Sequence, residues 1–398
     1  MSPADFNLRH LRALAATLRL GGFGAAAKSL GISQPAVTQA IARLEELAAT
    51  RLVERSPGQP LATDAGLLLT ARGEAAAGVL AEAFGPQRRG GIAARPGADA
   101  ELSMAQVTAL LALADSGSYA AGAAALGIAQ PSLHRSVAAL EQLCGVPLTA
   151  RRGRGTVLTP AGERLAAGFR LALAELQAAL DELAVLAGRD QGAVRIGAHP
   201  AALASLVPEA IARFLAEHPP VRIEVGTDGD GAARLRDGRL DALVAIDAPA
   251  LHGEGLAAEK LAEDPLVIAG RAGHPLAGAG APGLVRLAGF GWALPDAGSG
   301  EREAWERLFF DGGLYPPVPN VTCPSIAALI DLAGRTELLI VASRTLVERS
   351  GGKLLAIGAP LAAPRLLVLA TRAGWVPTPA QATFLDELRA GARQILTF

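Results

Sequence analysis

Apolar residues recur at helical spacing from the first ten positions of the chain. Leu8, Leu11, Leu14 and Leu18 share one face of a helix that Gly21-Gly22 ends, and Ala25 to Leu30 form a short second helix closed by Gly31. Ser33 is placed to cap a third helix, with Pro35 tolerated in its first turn because the missing amide has no partner there. On that helix Val37, Ile41 and Leu44 fall at i, i+4 and i+7 and face the core, which leaves Gln34, Ala36, Thr38, Gln39 and Arg43 outside. A short helix, a tight glycine turn and a helix with small and polar side chains at its N-terminal end form the geometry of a helix-turn-helix entering a major groove. Leu52-Val53-Glu54-Arg55 then begins a hairpin wing, and a helix from Thr63 to about Phe84 follows.

The same pattern returns at an offset of 96 positions. Leu30-Gly31-Ile32-Ser33-Gln34-Pro35 is echoed by Leu126-Gly127-Ile128-Ala129-Gln130-Pro131. Without a gap, Leu14 matches Leu110, Gly21 Gly117, Leu44-Glu45 Leu140-Glu141, Arg55 Arg151, and Thr63-x-Ala65-Gly66 matches Thr159-x-Ala161-Gly162. Chance does not hold one register so long. The second wing runs from Leu148-Thr149-Ala150-Arg151 through Arg152-Gly153-Arg154 to Leu158, and its arginines would straddle a phosphate backbone. Between the copies, Gly85 to Gly97 is rich in glycine, proline and arginine and reads as an exposed linker.

From Glu163 to Ala187 a long helix is expected, with Phe169, Leu173, Leu176, Leu180, Leu183 and Ala187 alternating by four and three residues. That spacing is a coiled-coil seam, or else the buried face of a helix packed on its own domain. Beyond it, strands and helices alternate: Val194 to Ala198, Leu203 to Glu217, Val221 to Val225, Ala232 to Asp237 and Ala242 to Ile246, which implies a parallel sheet. The order continues through strands at Leu266, Trp292, Asn320, Leu338, Leu354 and Leu366, with helices from about Gly300, Ser325 and Pro379. In open sheets of this kind ligands sit beyond the carboxyl ends of strands, which points to the loops at Ala198 to Ala202, Gly226 to Asp228, Asp247, Asp296 to Arg302 and Thr322 to Ser325.

Composition narrows the function. Hydrophobic residues are 51% and charged ones 19% of 398, which excludes a mostly disordered chain. The uncharged stretch from Ser116 to His134 is broken by Gly117, Gly127, Gln130 and Pro131 and is no spanning helix, so no membrane partner is expected. Asp5, Arg9 and Arg12 at the start are unlike a secretory signal, and a cytoplasmic location is expected. Cys144 and Cys323 form neither a disulfide framework nor a metal knuckle, so no metal or cofactor is expected. The net charge of −1 hides a basic front, with 15 Lys+Arg against 11 Asp+Glu over residues 1–162. Only Lys28, Lys260 and Lys353 are lysines, and arginine's planar fork suits phosphates and base edges.

The run Phe23-x-x-Ala26-Ala27-x-x-Leu30-x-x-Ser33-Gln34-Pro35-Ala36-Val37-Thr38-x-x-Ile41-x-x-Leu44-Glu45 resembles the N-terminal signature of LysR-type transcriptional regulators. In the second copy, Leu143-Cys144-Gly145-Val146-Pro147-Leu148 and Leu158-Thr159-Pro160-Ala161-Gly162 resemble the later part of that signature, and Gly270 to Leu276 matches a segment of the family's effector domain. The chain departs from the family in carrying two such heads. The resemblance implies a multidomain protein: a first winged helix-turn-helix domain with its short helix at 1–84, a linker at 85–101, and a second winged helix-turn-helix domain at 102–162. A dimerising linker helix would span 163–190. A C-terminal α/β effector domain at 191–398 would have the two-lobed fold of periplasmic binding proteins (type 2), with lobe I at 191–267 and 361–398 and lobe II at 268–360.

The expected partners are double-stranded operator DNA, a small and anionic effector, further copies of the chain, and RNA polymerase. The DNA-facing set is Ser33, Gln34, Pro35, Ala36, Thr38, Gln39, Arg43 and Arg55 in the first head, and Gln130, Pro131, Ser132, His134, Arg135, Arg151, Arg152 and Arg154 in the second. The two recognition helices are not equivalent, since Ala129 replaces the capping Ser33. For the effector the candidates are Ala198, His199, Pro200, Ala201, Asp247, Ser299, Gly300, Arg302, Cys323 and Ser325. Ser299-Gly300 opens a helix whose free amides could hold a carboxylate beside Arg302, and Ser299 is equally a plain N-cap. Ser325 leans to a cap and Cys323 to a small buried residue, whereas His199 could pair with an anion or respond to pH. No catalytic elbow, phosphate loop or ligand pair stands out, so no enzyme is expected. Two alternatives are a DNA-binding protein whose C-terminal domain only oligomerises and, more remotely, a hydrolase using His199, Cys323 and Asp247. Because each head is followed by a helix, the two heads are expected to pair within one chain through those helices.

Overall fold

Polar caps and glycine stops set the helices of the first half of the chain. The computed structural model of the protein describes residues 2–55, 60–85, 101–153, 155–189, 192–278, 280–362 and 365–395. By its internal contacts it falls into two units, Met1–Gly192 and, apart from Arg236–Arg239 and Pro377–Pro379, residues 193–398.

In the first unit, α1 (Leu8–Leu20) is capped by Asn7, α2 (Phe23–Leu30) stops at Gly31 with φ 66°, and α3 (Gln34–Ala48) starts on Ser33. The hydroxyl of Ser33 accepts from Ala36 N at 3.3 Å. A hairpin of β1 (Val53–Arg55) and β2 (Pro60–Ala62) leads into α4 (Asp64–Phe84). The order then recurs as α5 (Met104–Ser116), α6 (Tyr119–Leu126), α7 (Gln130–Cys144), the hairpin β3 (Thr149–Arg152) and β4 (Gly155–Leu158), and α8 (Pro160–Leu186). Thr159 caps α8, so the long helix begins three residues before the expected Glu163 and ends one residue before Ala187. Residues 86–100, most of the expected linker, lie outside the described residues.

The residues that repeat in the sequence do the same work twice. Glu45 Oε1 accepts from Leu52 N and Val53 N at 2.9 and 3.3 Å, and Glu141 Oε1 accepts from Leu148 N and Thr149 N at 2.8 and 3.1 Å. Thr63 donates to Arg51 O at 2.7 Å and Thr159 to Pro147 O at 2.9 Å. A Cβ on Gly66 would stand 2.0 Å from Leu52 O and one on Gly162 2.1 Å from Leu148 O, so a helix can start against the wing's backbone only with glycine there.

α4 and α8 pack along each other. The end of α4 meets the first half of α8, with Phe84 and Phe169 ring centroids 6.3 Å apart and Ala83 against Gly168, while Arg72 nearer its start meets Glu175 and Glu182 further along. The pair is therefore antiparallel. Phe169, Leu176, Leu180 and Leu183 are buried by neighbours in their own chain, Leu173 is half-buried, and Ala187 at the end of the expected seam is exposed. One continuous apolar cluster joins Leu14, Val37 and Leu44 of the first copy to Leu110, Leu140 and Leu148 of the second through Leu69, Leu80 and Phe169.

In the second unit the first strands follow expectation: β5 (Ala193–Ala198), α9 (Pro200–Leu203), α10 (Leu206–Glu217), β6 (Arg222–Thr227), α11 (Gly231–Arg236) and β7 (Ala242–Ile246). They are followed by β8 (Leu256–Glu263), β9 (Leu266–Arg271), α12 (Leu284–Ala288), β10 (Ala293–Leu294), α13 (Gly300–Asp311), β11 (Val321–Thr322) and α14 (Ile326–Arg335). The unit closes with β12 (Ile340–Ser343), α15 (Arg344–Glu348), β13 (Leu354–Ile357), β14 (Leu366–Arg372) and α16 (Pro379–Ile395). One sheet has the order β6-β5-β7-β14-β8 and another β12-β9-β13. The expected parallel pairing holds for β6-β5-β7 and for β10 with β11, whereas β14 runs antiparallel to β7 and β8, and both neighbours of β9 are antiparallel. β8 escapes a pattern reading because Leu256 to Glu263 is made of helix-favouring Leu, Ala, Glu and Lys, and its pairing with β14 overrides that preference. Phe214 and Phe384 fill the core of the first sheet's layer, and Trp292, Trp305 and Phe309 meet edge to face in the second. The chain crosses between the two sheets twice, after Glu263 and after Ile357.

Gly66→Ala should destabilise the first unit by about 1–3 kcal/mol, as overpacking does, whereas Gly78→Ala, in α4 with nothing within 4 Å of its new Cβ, should stabilise it by about 0.5–1 kcal/mol. Urea unfolding of the two variants checks the pair, and similar midpoints would count against the close approach at Leu52.

Candidate functional site

Two surfaces bring chemistry together. On the first copy Ser33, Gln34, Pro35, Ala36 and Gln39 are exposed at the start of α3. Thr38 is half-buried and its hydroxyl donates back to Gln34 O at 3.2 Å, while the exposed Arg43 pairs with Glu46 at 2.7 Å. On the second copy Gln130, Pro131, His134 and Arg135 are exposed and Ser132 is half-buried. Arg135 donates to Ser132 Oγ at 3.0 Å, and the His134 ring sits 4.9 Å from that of Tyr119. Ala129 gives α7 no side-chain cap. Arg151 and Arg152 are exposed on the second wing. Arg55 ends β1 with its side chain outside the described part, and Arg154 lies outside the described residues.

The second surface is a cavity of about 310 Å³ lined by His199, Ile246, Leu266, Gly300, Glu301, Glu303, Ala304, Arg307 and Arg365. His199, Ile246 and Arg365 come from the ends of β5, β7 and the approach to β14, whereas Leu266 and the rest come from β9 and α13, so both sheets contribute. Arg365 is buried, with Nη1 2.8 Å from Glu301 Oε1 in an ion pair without hydrogen-bond alignment. His199 caps α9 through Nδ1, which accepts from Ala201 N at 3.2 Å and lies 3.3 Å from Arg365 Nη2. Burial and then the Arg365 charge hold the His199 pKa below its ordinary value, against the pull of Asp228, Glu301 and Asp264. The buried Asp264 accepts from Thr345 N at 3.2 Å with Oδ1, and its Oδ2 has no hydrogen-bond partner.

Of the ten effector candidates the cavity takes in His199 and Gly300. Ala198 and Ala201 are buried beside His199, and Pro200 is exposed at the start of α9. Ser299 accepts from Arg302 N at 3.2 Å and Ser325 from Ala328 N at 3.3 Å, so both act as helix caps. Arg302 turns along its own helix to Glu306 at 2.7 Å and over the Trp305 ring at 4.9 Å, away from the lining. Asp247 pairs with His252 at 2.5 Å on the surface, and Cys323 packs against the second sheet's helix-side core. Arg365, Arg307, Glu301 and Glu303 carry the cavity's charge and were missed. An acidic first turn, Glu301 and Glu303, was the available signal for α13. Arg365 had none, because its place follows from a strand crossover. Among the described residues no group of three or more His, Cys, Asp or Glu is placed to hold a metal, and no helix is long and apolar enough to cross a membrane.

Comparison with known proteins bears on both surfaces. Residues 8–74 and 104–163 match the bacterial regulatory helix-turn-helix protein family, lysR family, and residues 187–393 match the LysR substrate binding domain. The HTH-type transcriptional regulator GalR of Pseudomonas putida is 31% identical over 399 residues, covering 98% of each chain. A probable hydrogen peroxide-inducible genes activator of Streptomyces viridosporus is 30% identical over 74% of this chain and 94% of its own. Among solved structures, ArgP from Mycobacterium tuberculosis matches with a TM-score of 0.56 at 18% identity over 72% of this chain and 96% of that one, a likeness of fold.

Because His199 is held neutral in the fold, its contribution to stability is full above its ordinary pKa of about 6.5 and is lost as pH falls below it toward the lowered value. His199→Asn keeps a capping acceptor and removes the titration. Unfolding midpoints measured from pH 7.5 to 5 should therefore fall less in the variant than in the parent, and superimposable profiles would contradict the assignment.

Proposed function

The chain belongs to the lysR family of bacterial DNA-binding transcriptional regulators with a C-terminal effector-binding domain, and we propose that it reads DNA with two winged helix-turn-helix heads, a tandem duplication. The observation that carries this is the recurrence, 96 positions apart, of the same wing-holding carboxylate, capping threonine and close-approach glycine. Both copies present exposed polar side chains on the second helix of the motif, and the exposed Arg151 and Arg152 suit phosphate contact. Members of this family regulate transcription and are not enzymes, so the hydrolase alternative falls.

The C-terminal domain, two sheets joined by two crossings with a cavity between them, is read as a two-lobed fold like that of periplasmic binding proteins, and the cavity as the effector site. Arg365 and Arg307 balance Glu301 and Glu303 there, with His199 neutral. A small molecule with an acidic group and hydrogen-bond donors suits such a lining better than a plain anion: its acid would take the place of Glu301 on Arg365, and its donors would meet the released carboxylates. That cavity favours a sensor over a domain that only oligomerises. The site of action is the cytoplasm, and RNA polymerase and further copies of the chain complete the proposed partners.

Two outcomes follow. Replacing Arg151 and Arg152 together with alanine should lower the slope of log affinity against log salt by up to about two, since each phosphate contact contributes about 0.9. Gel shifts across a salt series check this, and an unchanged slope would take the second wing off the DNA. Arg365→Lys should weaken effector binding by about tenfold through loss of the two-pronged contact, while Arg302→Ala should leave it nearly unchanged. Calorimetric titration of candidate metabolites measures both, and the reverse ranking would move the site.

A further inference from the structure

We propose that a single chain is a complete operator-reading unit, its two unlike heads clamped together by α4 and α8 so that it recognises a non-palindromic site with two different half-sites. This rests on the proposal that both heads contact DNA. The clamp is chemically one-sided. Arg72 of α4 is buried between Glu175 and Glu182 of α8, with Nη1 2.8 Å from Glu175 Oε2 and Nε 3.2 Å from Glu182 Oε2. Burial works against the Arg72 charge, and hydrogen bonds to Glu182 and Glu175 outweigh it. At the offset of 96 the residue corresponding to Arg72 is Gly168, and the residue corresponding to Glu175 is Val79. Two copies of α8 facing each other would set carboxylates on both sides with no Arg72 to answer them. Pairing α4 with α8 satisfies the charges, and a Cβ on Gly168 would stand 2.5 Å from that of Ala83, so the helices approach closely only where α8 has its glycine.

The heads so joined differ where they face outward. The positions of Ala36, Thr38, Gln39 and Arg43 in α3 are taken by Ser132, His134, Arg135 and Ala139 in α7. Identical heads related by a two-fold axis read a palindrome, and their symmetry dictates it. Unlike heads in one chain carry no such symmetry and discriminate bases differently: glutamine pairs with adenine, arginine with guanine. The chain's own DNA target is therefore a composite of two unlike sequences in fixed order.

Selection of binding sites from randomised duplexes by the full chain tests the target. The expected product has two dissimilar half-sites, with Gln34→Ala relaxing preference in one and Arg135→Ala in the other; a product in which the half-sites relaxed by the two changes are inverted copies of one sequence would overturn the proposal. If Gln34→Ala relaxes a half-site and Arg135→Ala changes nothing anywhere, the second head does not read DNA, and the underlying proposal fails with this one. Charge reversal tests the clamp separately. Arg72→Glu alone, or Glu175→Arg with Glu182→Arg, should weaken binding to the two-half-site duplex by about tenfold as the second contact loses its fixed geometry, and all three changes in one chain should restore it. A mixture of the two defective chains should stay defective. Rescue by mixing would show that the clamp is made between chains and would overturn the single-chain unit, even with both heads reading DNA.

Discussion

A guanidinium held between two carboxylates fixes the architecture of the N-terminal unit. Arg72, Glu175 and Glu182 are each less than a fifth exposed, so none of the three is well solvated. Breaking such a buried set leaves uncompensated charge at a cost of about 3–5 kcal/mol, although replacing all of it with well-packed apolar groups is often neutral. Its value is thus specificity of pairing more than stability. Apolar contacts alone, such as Phe84 on Phe169, would tolerate sliding of one helix along the other. The charged set accepts one register and one direction, and every side chain in the shared core inherits that choice.

Once the register is fixed, the rest of the unit follows from local rules repeated twice. Glu45 and Glu141 hold the hairpins β1-β2 and β3-β4 to α3 and α7, and Thr63 and Thr159 start α4 and α8 against those hairpins. Each hairpin is thereby tied both to the helix before it and to the helix after it.

What was legible in the sequence was the part governed by short-range chemistry. Ser33 and Gly31 announced a cap and a stop because each of those demands particular side chains at particular positions, whereas the Thr-x-Ala-Gly run was visible only as part of the repeat and its cap and close approach emerge in the fold. The seam of α8 was visible as a period, and the helix after the first copy was its expected partner, but neither fixes the register or direction of the pair. Only Arg72, 103 positions before Glu175, does that, and a lone arginine in α4 reads as a solvated charge until the fold is seen. β8 and the antiparallel direction of the expected strand β14 were hidden for the same reason, since long-range pairing and not local preference sets them.

The cavity between the two sheets shows the limit most sharply. Ser299 and Arg302 looked like an anion site because a helix start with a nearby arginine is one, yet the hydroxyl caps Arg302 N and the guanidinium is taken by Glu306 and Trp305 within the same helix. The basic group that faces the cavity arrives from the far side of a chain crossing, and a carboxylate of α13 itself already occupies it. If this cavity is the effector site, as proposed, an effector bearing an acid would compete with Glu301 and would not meet a vacant arginine. The net gain on binding is the difference between two ion pairs, which is small, so discrimination among ligands must rest on what else they offer to Glu301 and Glu303. An effector that supplies donors there gains twice, once at the arginine and once at the carboxylates it releases. One that supplies only an acid leaves a buried charge unanswered.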